Sequence, residues 1–203
     1  RVVVDLLTDW EANDDGEFTD EIWNGPGFDN DTIYVPADAK VTLNLNGHTI
    51  NRGLTNVTND GQVFRINDGR LTIKDSRGGG KITGGNNNGN GGAFYIDSTA
   101  GDESYLTIEG GSITGNRATG SGAGIYYDGG DGYLLMKGGS ITDNRAGKNG
   151  GGIYVNKNTG VFNMTGGTIS NNMTSREGGG ISLGWLKRGD NTGIASYITT
   201  FTM

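Results

Sequence analysis

The sequence of 203 residues contains no cysteine, only 2 prolines and no long apolar run. Without cysteine the chain forms neither a disulfide framework nor a thiolate metal site, and with so little proline its 40 glycines do not indicate collagen. No apolar stretch approaches the roughly 20 residues that a membrane-spanning helix needs. Positive charge is also scarce: the formal net charge is −7, which disfavours nucleic acid and anionic membranes as partners. We therefore expect no nucleic-acid binding and no membrane insertion by this segment.

What the chain has instead is an internal repeat. Three blocks align without a gap: LTIEGGSITGNRATGSGAGIYY from Leu106, LLMKGGSITDNRAGKNGGGIYV from Leu134 and FNMTGGTISNNMTSREGGGISL from Phe162. Their starts are 134 − 106 = 28 and 162 − 134 = 28 residues apart. LTIKDSRGGGKITGG from Leu71 and LNLNGHTINRG from Leu43 match less closely. A fixed period of this length is typical of repeat architectures.

Within each block apolar and polar residues alternate over short runs that are separated by glycine and asparagine. A period of two indicates strands rather than helices. Three short strands per repeat cannot bury their inner faces alone, but stacking each strand on its copy in the next turn, about 4.8 Å away, buries them. The sequence therefore predicts an all-β parallel β-helix with about 28 residues and three short strands per turn.

In such a stack, residues at equivalent repeat positions form columns. The predicted interior columns are Leu43, Leu71, Leu106, Leu134, Phe162; Leu45, Ile73, Ile108, Met136, Met164; Ile50, Ile82, Ile113, Ile141, Ile169; Ile33, Phe64, Phe94, Ile125, Ile153, Ile181; and Val35, Ile66, Ile96, Tyr127, Val155, Leu183. Two further columns are polar: Lys74, Glu109, Lys137, and Asn116, Asn144, Asn172. We expect the first to alternate in charge and the second to stack through side-chain hydrogen bonds.

The repeat divides the chain into three parts. Residues 1–31 lie outside it and are predicted to be an N-terminal cap, because an open end of the stack would expose the core and an unpaired strand edge. Residues 32–183 form the predicted parallel β-helix. Residues 184–203 are predicted to be a C-terminal cap or the continuation into a longer chain.

The motif IxxN, followed by GGGI or a close variant, recurs along the chain. One copy has Ile113 and Asn116 followed by GAGI at 122–125, and the next has Ile141 and Asn144 followed by GGGI at 150–153. The chain resembles bacterial surface β-helix proteins, above all the polymorphic outer-membrane proteins built from GGA(I/L/V) and FxxN repeats. The resemblance covers roughly residues 33–183, although isoleucine replaces the motif phenylalanine and the first two turns lack the asparagine. It implies a right-handed, pectate-lyase-like β-helix, secretion or display on the bacterial cell surface, and adhesion, but no fixed active site.

One outward column is aromatic. Tyr95, Tyr126 and Tyr154 occupy equivalent positions of successive turns. Such a strip can stack on sugar rings or on an apolar patch of a partner, so we predict these three residues as the ligand-binding site for a glycan or a host surface protein. The alternative is a stacking ladder that stabilises the coil.

A second outward column contains Asp97 and Asp128, which should lie one turn apart. Two carboxylates this close can hold a cation or act in catalysis, but turn residues of this kind are common without either role. We favour no cofactor, with calcium at Asp97/Asp128 as the alternative. The predicted function is a non-catalytic, adhesin-like module or stalk. The alternative is a carbohydrate-active enzyme, either a polysaccharide lyase or a glycosidase, because pectate lyases and polygalacturonases use the same parallel β-helix fold.

Overall fold

The structure, a computed structural model, describes residues 2–11, 32–99, 102–128, 130, 132–156 and 161–184. It is a parallel β-solenoid of about five turns, which confirms the predicted all-β parallel β-helix. The described residues contain no helix, and hence none that is long and apolar enough to cross a membrane. Residues 12–31 of the predicted N-terminal cap and residues 185–203 of the predicted C-terminal segment lie outside the described residues.

Three sheets contain six strands each. The leucine sheet consists of Val2–Asp5, Lys40–Asn44, Arg70–Lys74, Tyr105–Ile108, Tyr133–Met136 and Val161–Met164. The isoleucine sheet consists of Trp10–Glu11, Thr49–Asn51, Lys81–Thr83, Ser112–Thr114, Ser140–Thr142 and Thr168–Ser170. The tyrosine sheet consists of Ile33–Val35, Phe64–Asn67, Phe94–Asp97, Ile125–Asp128, Ile153–Val155 and Ile181–Leu183. These are the three predicted strands of each turn.

A fourth sheet, which we call the arginine sheet, adds a very short strand to the later turns. Its strands are Asn86–Asn87, Arg117–Ala118, Arg145–Ala146 and Met173–Thr174. The three strands predicted per turn do not include them, because two residues are too few to show the alternation that marks a strand. An asparagine precedes each of the last three strands, and the backbone nitrogens of Asn116 and Asn144 donate to the asparagine side chain of the next turn, which holds the backbone in the same position in successive turns.

Inward side chains of the three long sheets form one continuous core. The predicted isoleucine column is confirmed: Ile50 pairs with Ile82, and the register continues through Ile113 and Ile141 to Ile169. Both predicted columns of the tyrosine sheet are confirmed as well. Burial of each such side chain contributes roughly 1.5–3 kcal/mol, so the stack is held mainly by its interior.

The first turn of the leucine sheet is shifted by two residues from the predicted register. Val41 pairs with Leu71, and Leu43 pairs with Ile73, so the spacing here is 71 − 41 = 30 residues rather than 28. The prediction was wrong because a shift of two keeps every apolar side chain on the inner face, and hydrophobic alternation cannot distinguish the two registers. Leu45, predicted to pair with Ile73, follows the strand instead and is still buried.

The predicted asparagine column is confirmed as a hydrogen-bonded ladder inside the solenoid. Asn116 donates to Asn144 Oδ1 from both its backbone nitrogen and Nδ2, each at 3.0 Å. Asn144 donates in the same way to Asn172 Oδ1, again at 3.0 Å. Nδ2 of Asn144 also donates to the carbonyl oxygen of Ile113 at 3.0 Å. The ladder thus satisfies buried polar groups at the corner that leads to the arginine sheet.

The predicted column of alternating charge is confirmed on the outside of the leucine sheet. Lys74 Nζ lies 3.1 Å from Glu109 Oε2, and Lys137 Nζ lies 3.3 Å from Glu109 Oε1. Partial burial acts to raise the pKa of Glu109, but the two ammonium groups outweigh it and hold that pKa below its ordinary value. The carboxylate therefore bridges the two neighbouring turns.

Residues 2–11 extend the stack at its N-terminal side. Val2–Asp5 pairs in parallel with Lys40–Asn44 of the leucine sheet, and Trp10 pairs with Ile50 of the isoleucine sheet. Asp9 Oδ1 accepts a hydrogen bond from the backbone nitrogen of Thr49 at 2.8 Å and lies 3.3 Å from His48 Nδ1. The segment is thus tied to the first turn by its backbone and by one carboxylate.

Glycine is required before the strands of the tyrosine sheet for two distinct reasons. Gly150, the first of its triplet, has φ +62°, a left-handed conformation that side chains disfavour. Gly152, the third, lacks this constraint but is tightly packed: an added Cβ would lie 2.6 Å from the carbonyl oxygen of Gly180 and 2.9 Å from Nδ2 of Asn172. At Gly180, one turn later, the nearest described atom would be Cγ2 of Ile169 at 3.6 Å.

Gly152→Ala should therefore destabilise the solenoid by about 1–3 kcal/mol, because the methyl group meets a fixed backbone oxygen. Gly180→Ala is the matched control and should change the free energy of unfolding by less than about 0.5 kcal/mol. Urea unfolding followed by circular dichroism measures both. Equal destabilisation by the two substitutions would contradict the packing argument.

Candidate functional site

The three predicted site tyrosines do lie in one column of the tyrosine sheet. Tyr95 pairs with Tyr126, and Tyr126 pairs with Tyr154. Their rings stack face to face, with centroids 5.3 Å apart for the first pair and 5.6 Å for the second, and with interplanar angles of 10° and 12°. We call this column the tyrosine ladder. Its members share the same strand position, and each ring covers the next.

The ring faces in the middle of the tyrosine ladder are covered. Tyr126 is only 6 % exposed and Tyr154 only 9 %, whereas Tyr95 is partly exposed. Each face of Tyr126 is covered by a neighbouring ring, and the glycine corner runs close beside it, since an added Cβ on Gly122 would lie 2.8 Å from the Cα of Tyr126. The geometry is that of the stacking ladder, and ligand contact at these residues stays a prediction.

Arg65, which sequence reasoning did not select, extends the tyrosine ladder by one turn. Its guanidinium carbon lies 5.5 Å from the ring centroid of Tyr95, a cation–π contact. A hollow of about 370 Å³ opens at this end, lined by Asp60, Arg65, Asn90 and Tyr95 among others. The signal was present in the sequence, because Arg65 occupies the repeat position of the tyrosines. This end is the accessible part of the ladder.

The environment raises the pKa of two phenol groups of the ladder, those of Tyr95 and Tyr126. Burial, reinforced by the negative charge of Asp128, raises the pKa of Tyr126 far above its ordinary value of 10.0. Burial and the negative charge of Asp97 also raise the pKa of Tyr95. Neutral phenols donate and accept hydrogen bonds, but they do not supply a base at neutral pH. At neutral pH Tyr95 and Tyr126 are therefore hydrogen-bonding groups rather than bases.

The two predicted carboxylates are brought together, since Asp97 pairs with Asp128 in the tyrosine sheet. Both already have partners. Asp97 accepts hydrogen bonds from Arg65 at 3.0 Å and from Nδ2 of Asn67 at 3.3 Å. Asp128 accepts one from Nδ2 of Asn156 at 3.0 Å. The column is thus a polar ladder of two carboxylates between two amides.

Calcium at Asp97/Asp128 remains the unfavoured prediction. Calcium takes six to eight oxygen ligands, whereas the amides of Asn67 and Asn156 direct nitrogen atoms towards the carboxylates. Among the described residues no three or more histidine, aspartate and glutamate side chains are grouped so as to hold a metal ion. A calcium ion could bind here only if the side-chain amides of Asn67 and Asn156 rotated so that their oxygen atoms faced the ion.

A second feature that sequence reasoning missed is a groove along the arginine sheet. Its volume is about 610 Å³, and its lining includes Arg117 and Arg145. The available signal in the sequence was the tripeptide Asn-Arg-Ala, which begins at the asparagine of two successive IxxN motifs.

No protein-family model, curated protein or solved structure matches this chain. The assignment of a function therefore depends on the geometry of these outer faces.

Proposed function

We propose that this chain is a non-catalytic β-helix module of a secreted or surface-displayed bacterial protein, which binds a glycan or a host surface protein and also serves as a stalk. The observation that supports this most directly is that the polar groups best placed for chemistry are engaged in contacts between turns. Arg65 binds Asp97 and Asn156 binds Asp128. Such pairing favours a rigid surface over a reactive centre.

The accessible end of the tyrosine ladder is the proposed contact point. There the partly exposed Tyr95 lines the adjoining hollow together with Arg65 and Asn90, whose side chains carry hydrogen-bond donors. Tyr126 and Tyr154 support this end from behind by stacking. A sugar held here would hydrogen-bond to polar groups fixed by a rigid sheet, which limits the entropy lost on binding.

One observation favours the alternative, a lyase or glycosidase. Asp97 and Asp128 lie on adjacent strands, whose separation of about 4.8 Å is close to the roughly 5–5.5 Å between the carboxyl groups of retaining glycosidases. The hydrogen bonds from Arg65, Asn67 and Asn156 oppose this role, because an acid–base pair needs its protons free to move.

A binding screen combined with product analysis separates the two functions. We expect the protein to bind at least one member of an array of immobilised neutral and acidic oligosaccharides, while chromatography of the supernatant detects no released sugar. Asp128→Asn is expected to leave the binding unchanged, because the amide can keep its place in the polar column. Sugar release by the wild type that Asp128→Asn abolishes would instead establish the enzyme.

A further inference from the structure

The groove along the arginine sheet has two arginines at its centre. Arg117 and Arg145 are register partners on adjacent turns, and both are exposed. The four-residue outward column of this sheet reads Asn86, Arg117, Arg145, Met173. Parallel strands hold such residues about 4.8 Å apart, so the two arginine side chains leave the same face of the sheet one turn apart.

These two positive charges are not neutralised within the described part of the chain. Neither arginine forms an ion pair with a described acidic side chain. In the leucine sheet, by contrast, the positive charges of Lys74 and Lys137 are both paired with Glu109, which lies between them. Like charges on adjacent strands repel, and this repulsion would be relieved by an external anion. The arginine pair therefore stands out against a chain whose formal net charge is −7.

The rest of the groove is suited to a ligand that is only partly charged. Buried Ala118 and Ala146 form part of its floor. Exposed apolar side chains lie towards its two ends, with Val57 53 % and Met173 58 % exposed. Hydroxyl-bearing residues also line the groove, among them Thr119, Thr174 and Ser175. Sugar rings present both hydroxyl edges and apolar C–H faces, which matches a lining of this kind.

We propose that this groove binds an acidic polysaccharide, with Arg117 and Arg145 each holding a carboxylate or sulfate group of the sugar chain. Guanidinium groups bind both anions through paired hydrogen bonds. A nucleic acid fits less well, because the described lining of the groove contains no aromatic side chain on which a base could stack. The proposal rests on the glycan-binding function proposed above and assigns it a second surface, away from the tyrosine ladder.

Affinity gel electrophoresis of the full chain tests this with four probes: polygalacturonic acid, dextran sulfate, neutral dextran and a single-stranded oligonucleotide. We expect retardation by one or both acidic polysaccharides and none by dextran or the oligonucleotide. The double substitution Arg117→Gln/Arg145→Gln should raise the Kd about tenfold or more. Arg117→Lys/Arg145→Lys should give an intermediate loss, because an ammonium group cannot make the paired contact. The two polymers distinguish carboxylate from sulfate recognition.

Lys40→Gln/Lys81→Gln is the matched control: it removes two exposed positive charges outside the groove and should change the Kd by less than about twofold. Unchanged binding of the acidic polymers by the double glutamine variant, or equally tight binding of the oligonucleotide, would overturn the groove proposal. Binding of neutral glycans alone would overturn it as well but leave the proposed function standing. If the protein degrades polygalacturonic acid and its binding still depends on the two arginines, the groove proposal stands and the proposed non-catalytic function is wrong.

Discussion

Asn144→Ala is expected to destabilise the solenoid by about 3–5 kcal/mol. Asn144 is fully buried, and its side chain accepts two hydrogen bonds from Asn116 and donates to Ile113 and Asn172. Alanine leaves at least the backbone nitrogen of Asn116 and the carbonyl oxygen of Ile113 without these partners. Each buried polar group that loses its partner costs about 1–3 kcal/mol, and the missing amide also leaves a small void.

Asn88→Ala provides the matched control for this prediction. Asn88 is exposed and also bonds between turns, donating to Asn59 Oδ1 at 2.9 Å, but water can replace that contact. We expect a loss of less than about 1 kcal/mol. Urea unfolding monitored by circular dichroism gives both free energies. If the two substitutions cost the same, the buried asparagine ladder is not what stabilises this corner.

The columns of the core could be predicted from the sequence because they depend only on repeat spacing and alternation. Where the blocks keep a spacing of 28 residues, as from Leu106 to Leu134, the predicted partners are the observed ones. Where the turns differ in length, as between Val41 and Leu71, the register is decided by loop geometry and backbone hydrogen bonds. These do not appear in the apolar pattern, which is the same after a shift of two residues.

The candidate site was predictable in position but not in exposure. Alternation places Tyr126 on the outer face of its strand, and this is where it lies. Whether an outward side chain is open to solvent depends on what flanks it, and here the flanking groups are Tyr95, Tyr154 and the glycine corner. A ladder of identical large side chains therefore buries itself. The arginine groove was missed because its significance lies in the lack of an acidic partner among the described side chains, which only the three-dimensional arrangement reveals.

Burial of the tyrosine ladder leads to the second large effect: Tyr126→Ala should destabilise the protein by about 3–5 kcal/mol. The substitution removes a ring that is 6 % exposed and breaks both stacking contacts at once. Large-to-small substitutions of buried aromatic residues cost this much through lost burial and cavity formation, and each stacked pair adds about 0.5–1.5 kcal/mol.

Tyr126→Phe separates the ring from the hydroxyl group. Phenylalanine keeps the stack and loses only the polar contact of the hydroxyl group with Asn90, so we expect a loss of about 1 kcal/mol. Thermal and urea unfolding measure the two variants side by side, and a loss below about 1 kcal/mol for Tyr126→Ala would contradict the role of the ladder in stability.

Because alanine substitutions in the ladder perturb the fold, ligand contact is better tested at its accessible end. Tyr95→Phe should weaken glycan binding if the hydroxyl group of Tyr95 contacts the ligand, while the unfolding transition stays within about 1 kcal/mol of the wild type.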